Sequence, residues 1–166
     1  MIMQGTDLQT LKGKTLALYR GTKIGYLFQN FELLDNLTGH ENILLPLSLH
    51  NISERERKKR LRELAEYLEI TDVMNKFPSQ MSGGQNQRVA AARALILNPQ
   101  MILADKPTGA LDSKIARTLM KKLSGLNQDE HATILMVTPM LLMLQAIANV
   151  SFLFRMESFS MNCAEI

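Results

Sequence analysis

The sequence predicts an α/β domain built on a parallel sheet. Three short apolar runs carry that expectation: Ile24 to Phe28, Met101 to Ala104 ahead of Asp105, and Thr133 to Val137. Each has strand length, and helical patterns separate them, which is the alternation that a parallel sheet with crossover helices requires. The first run is β-rich and ends at the polar pair Gln29-Asn30, so it reads as a buried strand.

Between the first two runs, Ser53 and Glu56 form a capping box, and Leu61, Leu64, Ala65 and Leu68 recur at helical spacing. This predicts an amphipathic helix. Its basic face of Arg55, Lys58, Lys59 and Arg62 reads as solvated surface in preference to a site for an acidic partner. A second helix is expected to start at Ser82 and run through the alanine-rich stretch from Val89 to Leu97, stopped by Pro99. A third is expected from about Ser113 to Leu123, between the second and third strands. No internal repeat or low-complexity linker is visible.

With 166 residues the chain can form one domain with a substantial core. The net charge of +3 owes much to the run from Arg55 to Arg62, too local a patch to imply nucleic acid. A single cysteine, Cys163, excludes an intramolecular disulfide framework and fits a reducing compartment. The amino terminus shows no charged leader, apolar stretch and cleavage site, so a non-secreted, cytoplasmic protein is expected. The apolar run from Met140 to Phe154 is interrupted by Gln145 and Asn149 and falls short of the ~20 residues of a membrane helix.

Two segments carry chemistry. In Met81-Ser82-Gly83-Gly84-Gln85-Asn86-Gln87-Arg88, a hydroxyl and glycine amides at a helix start make either a plain cap or an anion site. In Met101 to Ser113, Asp105 ends a parallel strand and either caps the next turn or holds Mg2+ beside a phosphate. Together, and with Ala110-Leu111-Asp112 downstream, they resemble the signature motif and the Walker B to D-loop segment of ABC-type ATPases. Ile24 to Phe31 and Glu41 to Leu47 are similar to the lipoprotein-release, macrolide-export and antimicrobial-peptide-export branch, and the resemblance spans about residues 1 to 138.

The resemblance implies a P-loop NTPase core, RecA-like with a parallel sheet, carrying a helical subdomain. It implies ATP and Mg2+ as cofactors, a second nucleotide-binding subunit as dimer partner, and a transmembrane permease. By that resemblance Gln29 is the Q-loop glutamine, touching Mg2+ and the attacking water. Asp105 holds Mg2+. Ser82, Gly83, Gly84 and Gln85 contact the γ-phosphate of ATP on the partner subunit, Asp112 crosses the dimer interface, and the region from Phe31 to Leu47 receives a permease coupling helix. The implied location is the cytoplasmic side, peripheral to the inner face of the cell membrane.

Three departures from the family pattern follow. Gly13-Lys14-Thr15 imitates a phosphate loop, but the first glycine of that loop falls on Leu8 and no apolar strand precedes it, so it reads as a decoy. The chain is expected to begin beyond the phosphate-loop helix. Lys106 stands where the family carries its catalytic glutamate, and an ammonium cannot accept a proton; a new phosphate contact is the alternative reading. Pro139 stands where the switch histidine belongs, and proline offers no side-chain donor or acceptor.

Beyond Pro139 a frameshift is expected. Joining the last base of one codon to the first two of the next turns Met156-Glu157 into Gly, Met161-Asn162 into Glu and Asn162-Cys163 into Leu, similar to the usual carboxyl end of the peptide-exporter branch. The organisation expected is one incomplete nucleotide-binding domain over 1–166. Its helical subdomain covers about 31–95, its RecA-like core 1–30 and 96–138, and an aberrant tail 139–166. The function expected is that of an ABC-transporter ATP-binding subunit impaired in hydrolysis; the alternatives are a non-catalytic permease partner and a pseudogene product without function.

Overall fold

The computed structural model describes residues 2–3, 6–50, 52–107 and 133–137. The helix expected from Ser113, together with Asp112, Pro139 and the 139–166 tail, lies outside the described residues.

Two short strands, β1 (Ile2–Met3) and β2 (Thr6–Asp7), pair antiparallel. A helix the sequence reading did not anticipate, α1 (Gly13–Lys23), then leads directly into β3 (Ile24–Leu27). Two further strands, β4 (Met101–Asp105) and β5 (Thr133–Val137), complete a three-stranded parallel sheet in the order β3-β4-β5. All three expected strands therefore form, and in parallel pairing. Leu27 lies opposite Ala104, and Ala104 opposite Met136.

Because side chains alternate across a strand, this register sorts the sheet into two unlike faces. Gly25, Leu27, Ile102, Ala104 and Met136 are buried on one. On the other, Tyr26 and Phe28 are 37% and 42% exposed, with their rings stacked at 6.0 Å. Among the described residues the expectation of a strand buried throughout is corrected: the helical region between β3 and β4 packs on the face of Gly25 and Leu27, and Tyr26 is left partly exposed.

Between β3 and β4 lies the helical region. It comprises α2 (Gly39–Leu44), a 3-10 turn over Leu45–Leu49, α3 (Glu54–Tyr67) and α4 (Gly83–Leu95). α3 starts at the expected cap, with Ser53 Oγ accepting from the Glu56 amide, but the expected capping box is only half formed because Glu56 Oε1 turns to Arg60 instead; the helix buries Leu61 and Ala65. Its outward face carries i,i+4 pairs, Glu54 to Lys58 at 2.6 Å and Glu56 to Arg60 at 2.8 Å, the acid preceding the base as the helix dipole favours. That supports the solvated-surface reading of this charge run. α4 ends at Leu95, two residues early, because Asn98 turns into the left-handed region at φ 50° ahead of Pro99.

α2 is fixed by a capping box. The Thr38 amide and hydroxyl both donate to Glu41 Oε2, at 2.8 and 2.7 Å, while Thr38 Oγ1 accepts from the Glu41 amide. Those bonds, the backbone one foremost, lower the Glu41 pKa below its usual 4.5. A depressed carboxylate contributes stability above the unfolded pKa and loses it as pH falls through the folded one. Urea titrations from pH 6 to pH 3 should therefore show part of the acid-side loss disappearing in Glu41→Gln, which keeps an acceptor at that position without a charge.

One apolar core joins helical region to sheet, with Leu27, Ile43, Leu47, Leu68, Val89, Ile96, Ile102 and Met136 in a single cluster. The junction is tightest at Gly25. A Cβ there would sit 2.6 Å from the Ala94 carbonyl oxygen and 3.1 Å from Pro99 Cγ. The first obstacle is backbone, so β3 and α4 would have to separate. Gly25→Ala is expected to cost about 1–3 kcal/mol in chemical denaturation.

Candidate functional site

The carboxyl ends of parallel strands form a natural crevice for ligands. Gln29 follows β3 by two residues and Asp105 closes β4, and with Leu27 paired to Ala104 both stand at the same end of the sheet. Both are exposed. Their donor chemistry, one carboxylate and one amide oxygen, fits Mg2+, which keeps several waters and takes few protein ligands. Among the described residues no cluster of three or more His, Cys, Asp or Glu competes as a metal site. Lys106 comes next and adopts φ 43°, a left-handed conformation uncommon outside glycine.

The amino end of α4 is built by its own sequence. Ser82 caps the helix: its Oγ accepts from the Gln85 amide at 3.2 Å, and Gln85 Oε1 accepts from the Ser82 amide at 2.9 Å. The Ser82 hydroxyl, having accepted, keeps its proton to donate. Ser82 and Gly83 are exposed, and the amides of the first turn lie at the positive end of the helix dipole. An anion fits that geometry. Gly84 is buried and Gln85 half-buried with its side-chain oxygen engaged in the cap, so Ser82 and Gly83 are the better placed of the four for an outside ligand.

The segment leaving Gln29 is strapped along α4 and α2. Phe31 and Glu32 adopt φ 65° and 49° in succession. Their carbonyls accept from one side chain, Arg93, whose Nη2 donates to Phe31 at 2.8 Å and whose Nη1 donates to Glu32. Burial lowers the Arg93 pKa, opposed by the nearby Glu32 carboxylate. Two turns earlier on α4, Asn86 shares a small cleft of about 180 Å³ with Asn30, Phe31, Leu33 and Asp35. From α2, the fully buried Asn42 accepts from the Leu34 amide at 2.8 Å and donates to the carbonyls of Leu34, Leu37 and Thr38.

A model of the ABC transporter family matches residues 2–109. The chain belongs to the ABC transporter family. It is 51% identical over 138 residues to the ABC transporter ATP-binding protein YvcR of Bacillus subtilis, covering 83% of this chain and 53% of that protein. It is 47% identical over 136 residues to the bacitracin export ATP-binding protein BceA of Halalkalibacterium halodurans, covering 82% and 54%. The chain thus spans about half the length of these curated relatives. Among solved structures, the ATP-binding cassette MJ0796 in a dimeric post-hydrolysis state bound to ADP and Pi superposes with a TM-score of 0.80 at 38% identity, over 92% of this chain and 66% of that one.

Within this ABC fold the structure brings most of the expected site residues to two places. Gln29 and Asp105 share the sheet end; Ser82 to Gln85 open α4. The imitation phosphate loop at Gly13-Lys14-Thr15 has no phosphate-loop setting. It opens α1 after the antiparallel β2, outside the three-stranded sheet. In the segment from Phe31 to Leu47, Leu34 and Leu45 are exposed by 45% and 41%, whereas Ile43 and Leu47 are buried. Glu32 and Pro46 from that segment help line a groove of about 720 Å³ with Leu18, Tyr26 and Phe28.

Sequence reasoning missed Arg93 and Asn42 as organisers of the site. A signal existed for each. Arg93 interrupts a run in which Val89, Ala90, Ala91, Ala92 and Leu95 are buried, and a cation in such a setting needs acceptors. Asn42 lies next to buried Ile43 at the first turn after a Thr-x-x-Glu box.

Proposed function

We propose that the chain is the ATP-binding part of an ABC transporter of the antimicrobial-peptide or lipoprotein export type, with hydrolysis impaired in this copy. The observation that carries the reading is the strap between the two halves of the site. The loop after Gln29 is bonded to the same helix, α4, whose first turn is shaped for an anion. A group binding at Ser82 and Gly83 therefore acts on an element that also holds the Gln29 loop and the surface beside it.

In this reading Ser82, Gly83, Gly84 and Gln85 face the γ-phosphate of ATP carried by a second nucleotide-binding subunit. Gln29 and Asp105 hold Mg2+, whose charge when bound offsets that of the phosphates. Asp112 reaches across the dimer interface. A permease docks on the outward residues between Phe31 and Leu47, principally Leu34 and Leu45, which puts the chain on the cytoplasmic face of the membrane. Among the described residues no helix is long and apolar enough to cross a membrane. The relative BceA is named for bacitracin export, which supports a peptide-export permease as partner.

Lys106 favours a second reading, a partner subunit that docks a permease without turnover. Both readings share the docking step. Co-expressed with the permease served by the bacitracin-export relative, the chain should co-purify in detergent, and Leu34→Asp with Leu45→Asp should abolish that without lowering the chain's own Tm. Failure of the unmodified chain to co-purify would count against both.

A further inference from the structure

We infer that Arg93 is the positioning residue of the Gln29 loop: its guanidinium, by spanning the carbonyls of Phe31 and Glu32, holds two consecutive residues in the left-handed conformation and so fixes where the chain leaves Gln29. Non-glycine residues at positive φ are costly and persist only where surroundings over-determine them. Here the conformation is shared by a phenylalanine and a glutamate, neither of which favours it. A planar fork with donors on two nitrogens can bond two carbonyls at once, whereas a lysine ammonium is a point charge on a flexible stem. The other end of the loop is pinned separately, by Asn42 to Leu34. Arg93 and Asn42 thus clamp opposite ends of a four-residue span, Phe31 to Leu34, and the Arg93 bonds tie its first two carbonyls to α4.

The consequence for function rests on the proposed reading of Gln29 and α4 as two parts of one nucleotide site. Movement of the signature end of α4 would carry Arg93, and through it the exit from Gln29, as one body. The Gly25 to Ala94 contact makes the same coupling on the strand side. The clamp itself is testable in the chain alone, so its failure is distinct from failure of the transporter assignment.

Hydrogen exchange by mass spectrometry provides the test, because the amides of Phe31, Glu32 and Leu34 are all bonded in the native loop, to Phe28, Asn30 and Asn42. Arg93→Lys and Arg93→Met should each speed exchange across 30–34 by about ten- to a hundredfold, with the amides of α3 as protected as before. The lysine variant is decisive, since it retains charge and most of the stem. Normal loop protection in Arg93→Lys would overturn the inference by showing that charge or packing suffices. Parallel loss of protection in α3 would also overturn it, by making Arg93 a general stability residue.

Discussion

Asn42→Asp should destabilise the chain more than Asn42→Ala, although aspartate is nearly isosteric with asparagine. Asn42 is wholly buried; its Oδ1 accepts from the Leu34 amide, and its two N–H groups are shared among the carbonyls of Leu34, Leu37 and Thr38. Truncation to alanine takes the side-chain partner from the Leu34 amide and the Leu37 carbonyl, whereas the carbonyls of Leu34 and Thr38 keep their bonds from the Leu37 and Asn42 amides, so a loss of about 1–3 kcal/mol is expected. Aspartate keeps the acceptor but brings a buried carboxylate against three carbonyl oxygens. Its ionised form is repelled, so its folded pKa rises and the penalty grows as pH climbs through it. Urea unfolding at pH 7 and pH 5 checks both the order of the variants and this sign.

The largest functional effect should come from the position of Lys106. On the proposed reading Lys106 stands where the resemblance implies a glutamate serving the attacking water, and a positioned base contributes about 10²–10⁴-fold. Placing lysine at the aligned position of the bacitracin-export relative should lower its kcat by about that factor with little change in ATP affinity. The reverse change behaves differently. Lys106→Glu in this chain should yield no ATPase activity by itself, because Gly13-Lys14-Thr15 follows no strand of the parallel sheet and Leu8 stands where a phosphate loop needs its first glycine. Steady-state phosphate release measures both.

What the sequence made legible divides along physical lines. Strands β3, β4 and β5, α3 and the start of α4 were readable because local periodicity and caps determine them: Ser53 and Ser82 each bond the residue three ahead. The left-handed pair Phe31-Glu32 was not readable, since neither residue asks for φ above zero. A guanidinium 61 and 62 residues away imposes it. The exposed face of Tyr26 and Phe28 was likewise hidden, because a run of apolar letters does not reveal which face the neighbours cover. α1 escaped notice because its apolar residues follow no helical stripe and it buries none of them. Of the candidate site, Gln29, Asp105 and Ser82 to Gln85 were picked out by motif spacing, while Arg93 and Asn42, which bond the segment between them, carry no such motif.

The proposed reading, in which the start of α4 serves ATP held by a second subunit, is tested by labelled-ATP binding with Mg2+ to the purified chain. Alone, the chain should retain no nucleotide at micromolar concentrations; mixed with an intact family cassette, it should add to the ATP held at the shared site, and Gly83→Asp should remove that gain. Stoichiometric, micromolar ATP binding by the chain alone would contradict the account.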